Sequence, residues 1–284
     1  TLKPRVKSCG AFVPAEFHPA RPGSGGGQAG SLSIRRRSTD EGMRIASRYL
    51  ATVRRAISMP DPFSRSTMAS SECTSASRDS LSISFLIRSR TLSAEWASPP
   101  SEEAMAEVKE RFGQAPDLLI NSAALFGQDR LDTVTSYDLM RHYAVNCATP
   151  VLLTQAFVAA ADGAGRSVVN ILDQRLANPH GDQLAYTLSK QALAGFTQIA
   201  ARELAGQGIR VNAVAPGLTI ATDDYDAAQM DRLADNMPLQ MLPRPSDIAD
   251  AVLYLAKAEA VTGQTIAVDA GAHMESFSRD FMHL

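Results

Sequence analysis

From residue 101 onward, apolar runs and amphipathic stretches alternate along the chain. SEEAMAEVKERFG, residues 101–113, has a charged face and an apolar face, which predicts a helix closed by Gly113. DLLIN predicts a short strand over 117–121, with polar and small residues after it. TSYDLMRHYAVNCATPVLLTQAFVAAAD, 135–162, predicts one long helix that is apolar over much of its surface. RSVVNILD (166–173), IRVNAVAPG (209–217) and GQTIAVDAG (263–271) predict three further strands. LAYTLSKQALAGFTQIAARELAG (184–206) and PSDIADAVLYLAKA (245–258) predict the helices between them. The strands are continuous hydrophobic runs, and that pattern belongs to a parallel sheet covered on both faces, a doubly wound α/β fold. Ligands of such sheets bind beyond the carboxyl ends of the strands. Asn121, Asp173 and PGLT at 216–219 stand at those ends and are expected to face one crevice.

Residues 1–96 read differently. They hold 15 Lys and Arg against 7 Asp and Glu, a balance of +8, whereas the remainder is at −10. Serine crowds stretches such as STMASSECTSASRDSLSISF, and no sustained period emerges beyond a possible helix over 40–57. We therefore divide the chain into an atypical Ser/Arg-rich segment, 1–96, and an α/β domain, 97–284. Two readings of the first segment stand open. Its composition suits a disordered basic arm; Arg, Ser, Pro, Ala and Gly also dominate when a GC-rich gene is read out of frame. GGGQAG at 25–30 satisfies G-x-G-x-x-G, but AEFHPARPGS before it is no buried strand, so it reads as a linker. RRR at 35–37 suits a 2′-phosphate contact or, more simply, a solvated basic run.

The overall charge of −2 argues against electrostatic binding to nucleic acid. Three dispersed cysteines and five histidines offer neither a disulfide framework nor a metal site. No apolar run reaches the length of about 18 residues that a membrane span needs, and TLKPRVKSCGAFVPAEF lacks a signal-peptide core. The expectation is a cytoplasmic protein with a small-molecule substrate, no metal and no membrane partner.

The chemistry concentrates at Tyr186 and Lys190, four apart and so on one helix face. An ammonium beside a phenol favours phenolate and is expected to bring its pKa down from near 10. A phenol so tuned donates a proton to a carbonyl or imine that accepts hydride. Alone, Y-x-x-x-K is a weak signal. Here it comes with INSAA at one strand end, a polar residue thirteen positions upstream at another, and VNAVAPG after it.

Together these motifs resemble the short-chain dehydrogenase/reductase family over residues 101–284. The resemblance implies a Rossmann-like fold and a nicotinamide cofactor, NADPH, with NADH left open. It implies that Asn121, Ser122 and Ala123 form the turn against the cofactor, and that Pro216, Gly217, Leu218 and Thr219 cover the nicotinamide. Tyr186 and Lys190 are the implied catalytic pair, with Lys190 also on the nicotinamide ribose. Asn146, in YAVNCATP, is implied in a proton relay through a backbone-held water. A homotetramer built from helix contacts is implied too. No T-G-x-x-x-G-x-G counterpart of the family's pyrophosphate turn occurs in residues 1–96.

Asp173 stands where most members carry serine. In this it is similar to the pteridine reductases, as are APGLTIATDD at 215–224 and Phe126, placed where those enzymes sandwich a pterin. A planar pterin suits stacking on Phe126, and a carboxyl group can accept from its N–H groups or, protonated, supply a proton. The first expectation is therefore an NADPH-dependent reductase of a pterin- or dihydrofolate-type C=N bond, with Asp173, Tyr186 and Lys190 in the proton relay. Reduction of ketones or 3-oxoacyl thioesters is the second, and a non-catalytic scaffold lacking the phosphate-binding turn the third. Blander roles are a helix cap for Asp173, core packing for Phe126, a turn cap for Asn121 and helix packing for Asn146. His142 and His180 read as packing or surface residues. The resemblance implies that Arg279, in the tail MESFSRDFMHL, reaches a neighbouring subunit's site.

Overall fold

The computed structural model describes residues 105–106, 108–110, 113–160, 165–221 and 225–284. The stretches read above as a linker, a basic run and a helix over 40–57 lie outside the described residues.

Four strands, β1 (Leu118–Asn121), β2 (Arg166–Ile171), β3 (Ile209–Pro216) and β4 (Thr265–Val268), pair in that order, all parallel. Alternate side chains leave opposite faces of the sheet. Leu119, Val168 and Val211 pack on one face with Leu153, Phe157 and Leu204. Leu118, Ile120, Val169 and Val214 pack on the other with Ile248, Val252 and Leu255. Both faces are therefore covered along β1, β2 and β3, which is why these strands read as largely apolar, whereas at β4 Ile266 and Val268 pack on the second face and Thr265 and Ala267 stay exposed. The expected α/β, Rossmann-like doubly wound sheet is present.

The helix predicted over 135–162 is interrupted. Helix α1 (Ser136–Tyr143) runs into a π-helical turn, Ala144–Ala148, and continues as α2 (Thr149–Ala159). Pro150 lacks the N–H that would bond one turn back. The Thr149 N–H instead reaches five residues back to the Ala144 carbonyl, which also accepts from Thr149 Oγ1 at 2.9 Å. The widened turn carries Asn146 into the interior, fully buried.

Helix α3 (Leu184–Leu204) matches its predicted span to within two residues, and α5 (Pro245–Lys257) to within one. Between them α4 (Ala227–Asp235) lies outside the expected set; Asp226 caps it by accepting from Gln229 N at 2.7 Å. The described residues of 101–113 are helical up to Glu110, and Gly113, at φ 74°, closes that helix by donating to the Lys109 carbonyl.

Candidate active site

The ends of the strands fix the site. β2 leads into Asp173, whose extended backbone starts a short 3-10 turn, Gln174–Leu176. Asp173 Oδ1 accepts from Arg175 N at 2.9 Å, so its expected capping role is real. Its other oxygen, Oδ2, accepts from Tyr186 Oη at 2.8 Å. The carboxylate therefore spans the turn after β2 and the first turn of α3.

Asp129 aims α3. The helix begins at Gln183, in the left-handed region at φ 56°, with no cap from its own side chain. The buried Asp129 serves from a distance: Oδ1 accepts from Ala185 N at 2.9 Å, and its carbonyl accepts from Gln183 N at 2.8 Å. Asp129 lies in an irregular stretch with no motif around it, so nothing in the sequence marks it for this role.

Tyr186 is 1% exposed. Phe126 stacks on it, ring centroids 4.4 Å apart and planes inclined by 26°. One turn on, the buried Lys190 donates from Nζ to the Ile171 carbonyl at 2.7 Å. Its ammonium lies 5.9 Å from the Tyr186 ring centroid. Burial pulls the Lys190 pKa down to about 8, with Asp173 opposing. Burial and then the facing Asp173 push the Tyr186 phenol well above its usual range. This corrects the expectation that Lys190 brings the phenol down: the ammonium is aimed at a backbone carbonyl, and the phenol meets a carboxylate. The phenol is therefore protonated and, with its O–H donating to Asp173, a weaker acid than a free tyrosine.

Asn146 Oδ1 accepts from Leu125 N at 2.7 Å, and its Nδ2 donates to the Leu125 carbonyl and to Ser189 Oγ, both at 2.9 Å. It pins the segment that carries Phe126 against α3. Asn121 Nδ2 donates to Asn170 Oδ1 at 2.8 Å, and Asn170 Nδ2 donates to Thr197 Oγ1 at 2.9 Å. Asn121 Oδ1 is buried without a hydrogen-bond partner. Ser122 and Ala123 follow at the surface of the β1 end.

Pro216 closes β3, followed by Gly217, Leu218 and Thr219, each half-buried. Gly217 donates to the Val268 carbonyl at 3.0 Å. A Cβ there would stand 2.7 Å from Asp269 Cβ and 2.8 Å from its Cα, so only glycine fits. The structure brings Asp173, Tyr186, Lys190 and Phe126 together. Asn121 and Gly217 stand at the ends of β1 and β3, flanking β2. His142 packs within the fold, with Nδ1 against the Asp138 carbonyl at 2.7 Å. Burial, aided by Arg175, lowers the pKa of His180.

The C-terminal tail folds back onto the same region of its own chain. Arg279 Nε donates to Asp182 Oδ2 at 2.7 Å, as does Asp280 N at 2.9 Å, and Arg130 Nη1 holds Asp182 Oδ1 at 2.9 Å. Arg279, which the resemblance places at a neighbouring subunit's site, bonds Asp182 of its own chain, where the tail turns back after β4. Burial works against the Asp182 charge, but Arg279 and the Asp280 N–H outweigh it and hold its pKa at about 2, from an ordinary 3.8. A folded pKa below the unfolded value means stability that is present above pH 3.8 and lost as pH falls towards 2. Thermal midpoints should therefore fall over that window, and Asp182→Asn should flatten the fall.

A family model described as Enoyl-(Acyl carrier protein) reductase matches residues 99–273. The chain belongs to the short-chain dehydrogenase/reductase family. A 3-oxoacyl-[acyl-carrier-protein] reductase of Staphylococcus epidermidis is 34% identical over 61% of this chain and 72% of its own length. A (3R)-3-hydroxyacyl-CoA dehydrogenase of Canis lupus familiaris is 32% identical over 60% of this chain and 68% of its own. Protein FixR of Bradyrhizobium diazoefficiens is 34% identical, and the chain spans 65% of its length, just under two thirds. Among solved structures, the FolM alternative dihydrofolate reductase 1 of Brucella suis, in complex with NADP, superimposes with TM-score 0.60 at 33% identity, covering 66% of this chain and 75% of that one. For this short-chain dehydrogenase/reductase, no helix among the described residues is long and apolar enough to cross a membrane. No cluster of ligating side chains suited to a metal ion occurs among them either.

Proposed function

We propose that this protein is an NADPH-dependent reductase of a pterin- or dihydrofolate-type C=N bond. The observation that carries the reading is the 2.8 Å hydrogen bond from Tyr186 Oη to Asp173 at the end of β2. The Brucella alternative dihydrofolate reductases, which resemble this chain at about a third of aligned positions and were crystallised with NADP, support it.

A reduced nicotinamide, when bound, supplies hydride. The residues present fit such a group. Asn121 Oδ1 is a buried acceptor awaiting a donor, and the Lys190 ammonium has two donors beyond the one given to Ile171. Gly217 keeps the β3 end free of a side chain. We assign Asn121, Ser122, Ala123, Pro216, Gly217, Leu218 and Thr219 to holding the nicotinamide, with Lys190 on its ribose.

In the reaction the imine carbon gains hydride and its nitrogen gains a proton. Tyr186 Oη is placed to give that proton, a phenol being protonated at neutral pH. Asp173 orients the phenol and accepts from substrate N–H groups. Lys190, at about 8, balances charge as the proton leaves. Asn146 holds Phe126 in place, and Phe126 offers a ring face to a planar substrate.

The names of the sequence relatives favour a second reading, reduction of 3-oxoacyl thioesters. We place the domain boundary near residue 96 and assign the Ser/Arg-rich segment no part in the chemistry. A cytoplasmic homotetramer is part of the same proposal. The test is NADPH oxidation with dihydrobiopterin and, in parallel, a 3-oxoacyl thioester. A kcat/KM at least tenfold higher on the dihydropterin is expected; preference for the thioester favours the second reading. Absence of turnover together with no change in NADPH fluorescence on titration favours the scaffold.

A further inference from the structure

One guanidinium is shared between the site and the end of the chain. Arg175 is buried, with its Nη2 2.6 Å from Asp280 Oδ2 and its Nε 3.4 Å from Asp173 Oδ1. Its Cζ lies 5.3 Å from the Tyr186 ring centroid. Asp280 is itself held at both ends: its N–H donates to Asp182 and its Oδ1 accepts from Met282 N at 3.1 Å. Beyond it, Phe281 is buried against Leu233, Met237 and Ala272. Gln229 Nε2, on α4, reaches the carbonyls of Phe281 and Met282, each at 3.3 Å.

We propose that Arg175, clasped by Asp280 of the C-terminal tail, is a positioning residue for the Asp173–Tyr186 pair, so that the last turn of the chain sets the site's geometry and charge. The proposal rests on the role given above to Tyr186. The guanidinium is fixed by the charge-assisted hydrogen bond from Nη2 to Asp280, and its Nε faces Asp173 as an ion pair without a hydrogen bond. It prevents Asp173 from swinging away from the phenol and offsets part of the repulsion between Asp173 and an emerging phenolate. Burial opposes the Arg175 charge, but Asp173 chiefly, with Asp280, keeps it ionised. The charged groups acting on the phenol are Asp173 and Arg175 on the segment after β2 and Asp280 on the tail; the Lys190 ammonium stands 5.9 Å from the ring centroid, and His180, its pKa lowered, faces Arg175.

Two variants release the pair. Arg175→Gln removes the guanidinium beside Asp173 and Asp280→Asn weakens its anchor, so each should move the Tyr186 Cζ NMR signal at neutral pH in the direction set by Asp173→Ala, in which the phenol has lost its carboxylate partner. Asp280→Glu should keep the signal close to that of the unaltered protein. The signal is read in the whole protein with isotope-labelled tyrosine and assigned by its loss in Tyr186→Phe. This readout needs no turnover. If Arg175→Gln fails to fold, the near-isosteric Asp280→Asn still decides the matter. A shift in the direction of Asp173→Ala supports the clasp even if no dihydropterin is reduced, in which case the functional reading alone fails. An unmoved signal in Asp280→Asn overturns the proposal even if dihydropterin turnover is found.

Discussion

Tyr186→Phe should lower turnover by about 10²–10⁴-fold on any substrate this protein reduces, the range for losing a positioned general acid. The substitution removes one oxygen from a side chain that is 1% exposed and leaves the ring stacked on Phe126. Core packing is unchanged. The lost contact is the 2.8 Å bond to Asp173, whose side chain keeps 17% exposure and Arg175 as a partner, so the freed oxygen can be hydrated. Stability should accordingly fall by only about 1 kcal/mol. Steady-state kinetics and a thermal melt on the same sample separate the two effects. Loss of activity with the fold intact marks Tyr186 as the donor, and a loss below tenfold would remove it from that role.

Much of the fold was legible because the apolar pattern records burial directly. The strand cores at 118–121, 166–171 and 209–216 emerged as largely apolar runs, since helices cover both faces of these strands. Helix α3 was legible for the same reason, having a broad buried face. The interruption at Ala144–Ala148 was signalled only by Pro150, which an apolar-period reading passes over when the flanks are strongly helical. Helix α4 is amphipathic but short, and it buries only Leu233 fully, so few apolar residues mark it.

At the site, Tyr186 and Lys190 followed from spacing on one helix face, and Asp173 from a family resemblance that the strand end supports. The direction of the phenol's pKa did not follow. Spacing places Lys190 on the same face as Tyr186 but cannot show that its ammonium turns to the Ile171 carbonyl. Asp129, which aims α3 across 56 residues, and Asp280, which reaches Arg175 across 105, were invisible for a simpler reason. Contacts between distant parts of a chain leave no periodic trace in it.

Asp173→Ser should exchange one substrate class for another. Serine keeps a hydroxyl that can bond a carbonyl oxygen and Tyr186, but loses the carboxylate that accepts from the N–H groups of a pterin. A buried donor left without its acceptor costs about 1–3 kcal/mol. The loss of kcat/KM on a dihydropterin should therefore be about 10- to 100-fold, since every 1.4 kcal/mol is tenfold. Part of the cost falls on the protein itself, because Arg175 then has Asp280 as its sole carboxylate partner among the contacts described. Ketones need no such acceptor, and their reduction should be unharmed or improved. The decisive measurement is the ratio of kcat/KM for dihydrobiopterin to that for a 3-oxoacyl thioester, in wild-type protein and in Asp173→Ser. A ratio that falls at least tenfold in the variant is the predicted result; an unchanged ratio would contradict the carboxylate's part in choosing the substrate.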